Sequence, residues 1–260
     1  MRSYRFRSRR NIMDLEFIAL NVAVFAAAAL QSATGIGFGV IAGPVLLIAL
    51  NDGSAIQISI VLNLLIAMLL TPSIWQHADR QLLTKLIIGL VIGSPLGLLI
   101  FLGMNIVFLK TFAGLAVLLT LVLTVRGNNV PTLPLLKTPG NTEQISIGVV
   151  AGIMGASLAM PGPVPAGWMS SKGFGKQTIR ATILLMFVFA YFVALALQFG
   201  LAGIGADSMR LSAMLAPMTV VGILVGRALS NRLTDKTFRW LIVTILVSTA
   251  VILFSSLIQM

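Results

Sequence analysis

The chain has 260 residues, of which 58% are apolar and only 10% charged, against roughly 25% charged in a soluble domain. With a mean hydropathy of +1.02 it cannot cover itself with a water-compatible surface, so it is an integral membrane protein. The absence of cysteine excludes disulfides and thiolate metal sites. The net charge of +11 comes from basic residues that flank apolar runs, the pattern of topology control in cytoplasmic loops rather than of a nucleic-acid partner.

In chain order, a basic tail (residues 1–12) carries five arginines. Two readings of it stay open: sequence ahead of a start at Met13, or a lipid-contacting tail. Residues 15–50 are apolar but interrupted by Gly35, Gly37, Gly39, Gly43 and Pro44. A spanning helix needs about 20 apolar residues. This stretch is too long for one crossing, and its pieces, 15–31 and 38–50, are each short for one. Plain apolar helices are expected at 54–75, 86–103 and 106–125. A polar connector, 126–143, follows. The second half repeats the order: a stretch at 144–171, broken around Pro161, Gly162 and Pro163, then helices at 181–203, 211–229 and 240–258. The expected fold is therefore all-α and polytopic. Residues 1–125 and 144–260 form two repeats of four apolar segments, each opening with a Gly/Pro-broken helix pair.

Charge orients the chain. Arg80, Lys85, Arg126, Lys137, Lys172, Lys176, Arg180, Arg227, Arg232, Lys236 and Arg239 fall in or beside four loops. Placing those loops in the cytoplasm makes the second broken segment a re-entrant hairpin and puts the C-terminus in the periplasm. If the first segment is its twin, it enters from the outside and the repeats are inverted. The N-terminal arginines then lie outside, against the same rule, unless translation starts at Met13 or the first segment crosses fully.

Ionisable side chains are nearly absent from the expected spans, so a titrating midplane group is not the expected coupling device. Irregular backbone at membrane depth survives only where protein or a water-filled cavity surrounds it. Broken segments at matching places in two halves point to a transporter's binding site. Glycine-exposed N–H groups beside a helix start attract anions, and Gln31, Ser32, Thr34 and Ser157 add neutral hydrogen-bonding groups. The candidate substrate-binding set is Gln31, Ser32, Thr34, Gly35, Gly37, Gly39, Gly43, Pro44, Asn63, Ser157, Met160, Pro161, Gly162, Pro163, Trp168 and Thr182. Lys176 and Arg180 are read as charges at the cytoplasmic mouth. Asn63 shares a helix face with Ser59, and Thr182 with Thr178; each pair either lines the cavity or bonds to neighbouring helices. Trp168 is either an interfacial anchor or a substrate contact. One histidine, His77, cannot build an intramembrane protease site, and the methionines are scattered as core filling. No enzyme, cofactor or metal is expected.

The run Gly35-Ile36-Gly37-Phe38-Gly39 with Gly43-Pro44, the second Gly/Pro break, and the loop carrying Gly175 and Arg180-Ala181-Thr182 together resemble the sulfite exporter TauE/SafE family, also called the toluene-sulfonate uptake permease family. The resemblance covers residues 13–260. In place of the family's second glycine-rich run this chain has Ser157-Leu158-Ala159-Met160-Pro161-Gly162-Pro163. The resemblance implies a bacterial inner-membrane carrier exporting sulfite, organosulfonates such as sulfoacetate, or related sulfur-containing or carboxylate anions. Its partners would be that anion and the lipid bilayer, and a homo-oligomer is compatible with it. The rival readings are a passive anion channel and a non-transporting membrane scaffold subunit.

Overall fold

The computed structural model describes residues 2–35, 37–126, 140–230 and 235–258, with side chains for 17–35, 37–122, 140–228, 243–244 and 246–256. The basic tail's side chains, Ile36, most of the connector with Lys137, and the side chains of Arg126, Arg232, Lys236, Arg239 and Trp240 lie outside the described residues. Among those residues the fold is helical throughout: α1 (Arg2–Thr34), α2 (Phe38–Leu50), α3 (Ser54–Leu70), α4 (Arg80–Gly103), α5 (Ile106–Arg126), α6 (Asn141–Leu158), α7 (Pro163–Ser171), α8 (Lys176–Leu197), α9 (Ala206–Ser230) and α10 (Asp235–Ile258). Five are long and apolar enough to cross a membrane, and α2 is among the shorter apolar ones; the five include Phe17–Thr34, which corrects the expectation that the first piece is short for a crossing, because α1 continues three residues past Gln31. Both expected breaks are present, one between the end of α1 and the start of α2 and one at 159–162. The expected helix at 54–75 ends earlier. Pro72 lacks an N–H to continue the ladder, and the chain closes in two 3-10 turns, Thr71–Ser73 and Trp75–His77.

Glycine stripes set the packing. Gly89, Gly93 and Gly97 on α4 lie against the carbonyls of Ile145, Val149 and Ile153 on α6, and Gly148 and Gly152 on α6 lie against those of Leu86 and Leu90. A Cβ at any of these positions would strike partner backbone. Small residues let membrane helices approach to backbone contact, where dispersion replaces the absent hydrophobic drive. Gly222 and Gly226 on α9 meet the carbonyls of Phe25 and Ala29 on α1 in the same way. In both pairs the residue numbers rise together, so the helices run parallel. Large apolar side chains such as Leu99, Phe192, Phe199 and Leu224 face outward, as a lipid-facing surface requires.

Polar ties fix two ends of the bundle. At one, Thr182 Oγ1 accepts the Asp79 N–H at 3.0 Å, and Glu143 accepts from both Trp168 Nε1 and Lys172 Nζ at 2.8 Å. The second bond set joins the start of α6 to the end of α7, so this hairpin returns to its own starting level. At the other end, Lys110 Nζ donates to Asn51 Oδ1 at 2.8 Å, and Gln57 Nε2 to the Gly203 carbonyl at 2.9 Å. The first end is basic: Arg80, Lys85, Lys172, Lys176, Arg180 and Arg227 against Asp79 and Glu143. Among residues with described side chains, the second balances Lys110 and Arg210 against Asp52 and Asp207.

Candidate functional site

The first break forms because Gly35 (φ 87°) and Gly37 (φ 143°) take left-handed backbone that side chains resist. It leaves α1's last carbonyls and α2's first N–H groups inside the bundle. Gln31, wholly buried, accepts the Phe38 N–H through Oε1 at 2.8 Å. That bond fixes the amide orientation and leaves Gln31 Nε2 buried without a partner. Ser32 Oγ donates to the Ile223 carbonyl at 2.9 Å. The Ser32 carbonyl in turn accepts from Arg180 Nη2. Arg180 is half-buried four residues into α8. Its stem lies against Gly35, where a Cβ would come within 2.6 Å of Arg180 Cγ. Its Nε–H is buried and unpartnered. The first break thus presents two unspent donors and a permanent positive charge at the N-terminal end of α2. An N-terminus favours negative charge by its own dipole.

The second break has the opposite character. Ala159 takes left-handed backbone (φ 57°) and closes α6: its N–H reaches the Gly155 carbonyl and that of Met160 reaches Met154. Pro161, Pro163 and Pro165 carry no N–H, so this segment is rich in acceptors. Tyr191 Oη donates to the Ala159 carbonyl at 3.1 Å, and Gln198 Nε2 to that of Ala156 at 3.2 Å. The two breaks touch. Gly39 abuts the Ala159 carbonyl, and a Cβ on Gly43 would lie 3.2 Å from Met160 Cε. Pro44 sits buried inside α2 and Pro161 packs on Gly155. Gly162 and Pro163 start α7.

Of the expected site residues, Gln31, Ser32, Gly35, Gly37 and Arg180 gather at the first break. Gly39, Gly43, Met160 and Pro161 gather where the breaks meet. Asn63 is buried, with Nδ2 on the Ser59 carbonyl of its own helix. Thr34 and Ser157 turn their hydroxyls back onto Leu30 and Ile153. Thr182 is spent on Asp79. Trp168 lies at the base of the second hairpin, tilted against Phe174 and bonded to Glu143, and Lys176 is exposed. Sequence reasoning missed Tyr191 and Gln198. The signal was there: they are the polar residues in an otherwise apolar run, 183–202. It also left the glycine stripe of α4 unread, although its spacing of four is visible.

These elements define a polytopic helical membrane protein whose broken helices bring donors and acceptors together inside the bundle. The family model described as Sulfite exporter TauE/SafE matches residues 20–253. The chain belongs to the sulfite exporter TauE/SafE family, and so to a class of membrane transporters of sulfite and related anions. No curated protein and no solved structure matches the chain.

Proposed function

We propose that this protein exports small oxyanions across the bacterial inner membrane by alternating access, with the anion held at the first break. Candidate solutes are sulfite, organosulfonates such as sulfoacetate, and related sulfur-containing or carboxylate anions. One observation carries the reading: Gln31 Nε2 and Arg180 Nε are buried donors without partners on either side of the glycines that open α2. A buried donor left unmade costs about 1–3 kcal/mol, and an oxyanion would satisfy both while balancing the guanidinium charge. Arg180 supplies a planar donor edge that suits two oxygens of one anion. The Ser32 carbonyl that it now meets would be exchanged for substrate oxygen.

The basic end of the bundle supports a cytoplasmic assignment for the 71–79, 140–143 and 172–176 loops, and with it a periplasmic C-terminus. Inverted repeats at 1–125 and 144–260 are supported by the packing. Exchanging α1–α5 with α6–α10 in order maps the pair α4/α6 onto α9/α1, and α2/α10 onto α7/α5. α6 starts at the basic end, at Glu143, whereas α9 and the parallel α1 run toward that end, which supports opposite directions for the corresponding helices α1 and α6.

The test is sulfite counterflow in liposomes with Arg180→Gln and Arg180→Lys. Both variants are expected to lose at least about tenfold in saturable counterflow, because a lysine ammonium is a point charge without the planar donor edge. Unchanged counterflow by Arg180→Gln would remove the site. Ion conductance without saturable counterflow in the parent protein would instead favour a channel.

A further inference from the structure

We infer a second binding site, for a monovalent metal cation of sodium size, at the broken end of α6. Two wholly buried amides, Asn63 on α3 and Gln198 after α8, each have an orphan oxygen. Neither amide can be reversed. Asn63 Nδ2 donates to the Ser59 carbonyl at 2.9 Å, and Gln198 Nε2 to the Ala156 carbonyl at 3.2 Å. The nitrogens are spoken for, so the oxygens point elsewhere.

The register of α3 against α8 sets the two residues at about one level. Gln57 bonds Gly203, and Asp79, beyond α3, bonds Thr182. These ties make α3 and α8 antiparallel in a register that sets Asn63 opposite the end of α8. The broken end of α6 reaches the same place. Leu158 O and Ser59 Oγ lie 4.0 and 3.9 Å from the position that a Cβ on Gly43 would take. The last carbonyls of a helix have no intrahelical partner and carry its negative dipole end. Donors are scarce, since Pro161 and Pro163 have none to give.

Orphan acceptors gathered at a helix C-terminus inside a transporter suit a cation. The ligand set is neutral: amide, carbonyl and hydroxyl oxygens. Among the described residues no cluster of three His, Cys, Asp or Glu exists. Divalent calcium and magnesium sites draw on carboxylates, so a single positive charge fits better. The contrast with the first break is direct, because there the orphans are donors. Gly39 against Ala159 joins the two sites, so each ion would raise the affinity for the other by the same factor.

The site can be tested without any anionic substrate, which separates it from the anion reading. Purified protein is melted in sodium chloride and in choline chloride at equal concentration. Sodium is expected to raise Tm by about 3 °C or more over choline. Gln198→Leu, checked for helical circular dichroism, is expected to weaken the sodium response at least tenfold in apparent Kd. Asn63→Asp, which adds a charged oxygen at the same place, is expected to tighten it. An equal rise in choline and sodium would mean that buried water, not metal, satisfies these oxygens, and would overturn the inference. So would a parental sodium response in a folded Gln198→Leu variant, and so would a response that Asn63→Asp leaves unchanged or weakens.

Discussion

At the scale of single residues, position within a helix decides what a polar side chain is for. Arg180 and Lys176 are one turn apart on α8. Lys176 reaches solvent, while Arg180 is drawn over Gly35 because that residue has no Cβ to hold it off. Glu143 makes a different use of charge. Hydrogen bonds from Lys172 and Trp168 hold its carboxyl below the usual carboxylate value. A lowered folded value means that this clasp contributes fully above the unfolded carboxylate's titration and is lost as pH falls through the folded value. Trp168 fluorescence, read in a Trp75→Phe, Trp240→Phe background, is therefore expected to be steady at neutral pH and to shift to the red on acidification below the ordinary carboxylate range. Glu143→Gln should abolish that titration. A titration that survives the substitution would assign the clasp to another group.

At the scale of elements, glycine spacing does what apolar periodicity does in water. In lipid, Leu faces out as readily as in, so the helix faces that meet are those where backbones can approach. α4 and α6 meet along Gly89, Gly93, Gly97, Gly148 and Gly152, and α1 and α9 along Gly222 and Gly226. These seams join helices from opposite halves. Under the proposed alternating access, the moving bodies would thus not simply be the two halves of the sequence, because each half is pinned to the other by a seam of this kind. Gly93→Leu drives four carbons into the Val149 carbonyl and is expected to abolish the folded species in detergent, read as loss of a monodisperse chromatographic peak. Gly103→Ala, with nothing within 4 Å of the new methyl, is expected to change stability by less than about 0.5 kcal/mol. Equal behaviour of the two variants would deny the seam its role.

At the scale of the whole molecule, the residues with described side chains give the bundle one basic end and one balanced end. The natural absence of cysteine makes this directly testable. Single cysteines at Gly103, Gly140 and Gly175, all in open space, can be labelled in whole cells with a membrane-impermeant maleimide. Gly103→Cys is expected to react, and Gly140→Cys and Gly175→Cys only after the membrane is opened. The reverse pattern would invert the orientation, and with it the assignment of the Arg180 side to the cytoplasm.

Composition and hydropathy alone determined that the chain lives in a membrane as helices, and Gly/Pro placement located both breaks to within about three residues. The physical reason is local: a proline or a left-handed glycine ends a helix wherever it sits. The family was legible from the same glycines. Which broken end carries donors and which acceptors was not legible. That depends on Arg180 and Gln31 reaching the first break, and on Tyr191 and Gln198 reaching carbonyls of the second. The Arg180 bond to Ser32 spans 148 positions and the Gln198 bond to Ala156 spans 42, across packing whose register the linear pattern does not encode. Only tertiary packing brought the two breaks into contact and gave them opposite electrical character.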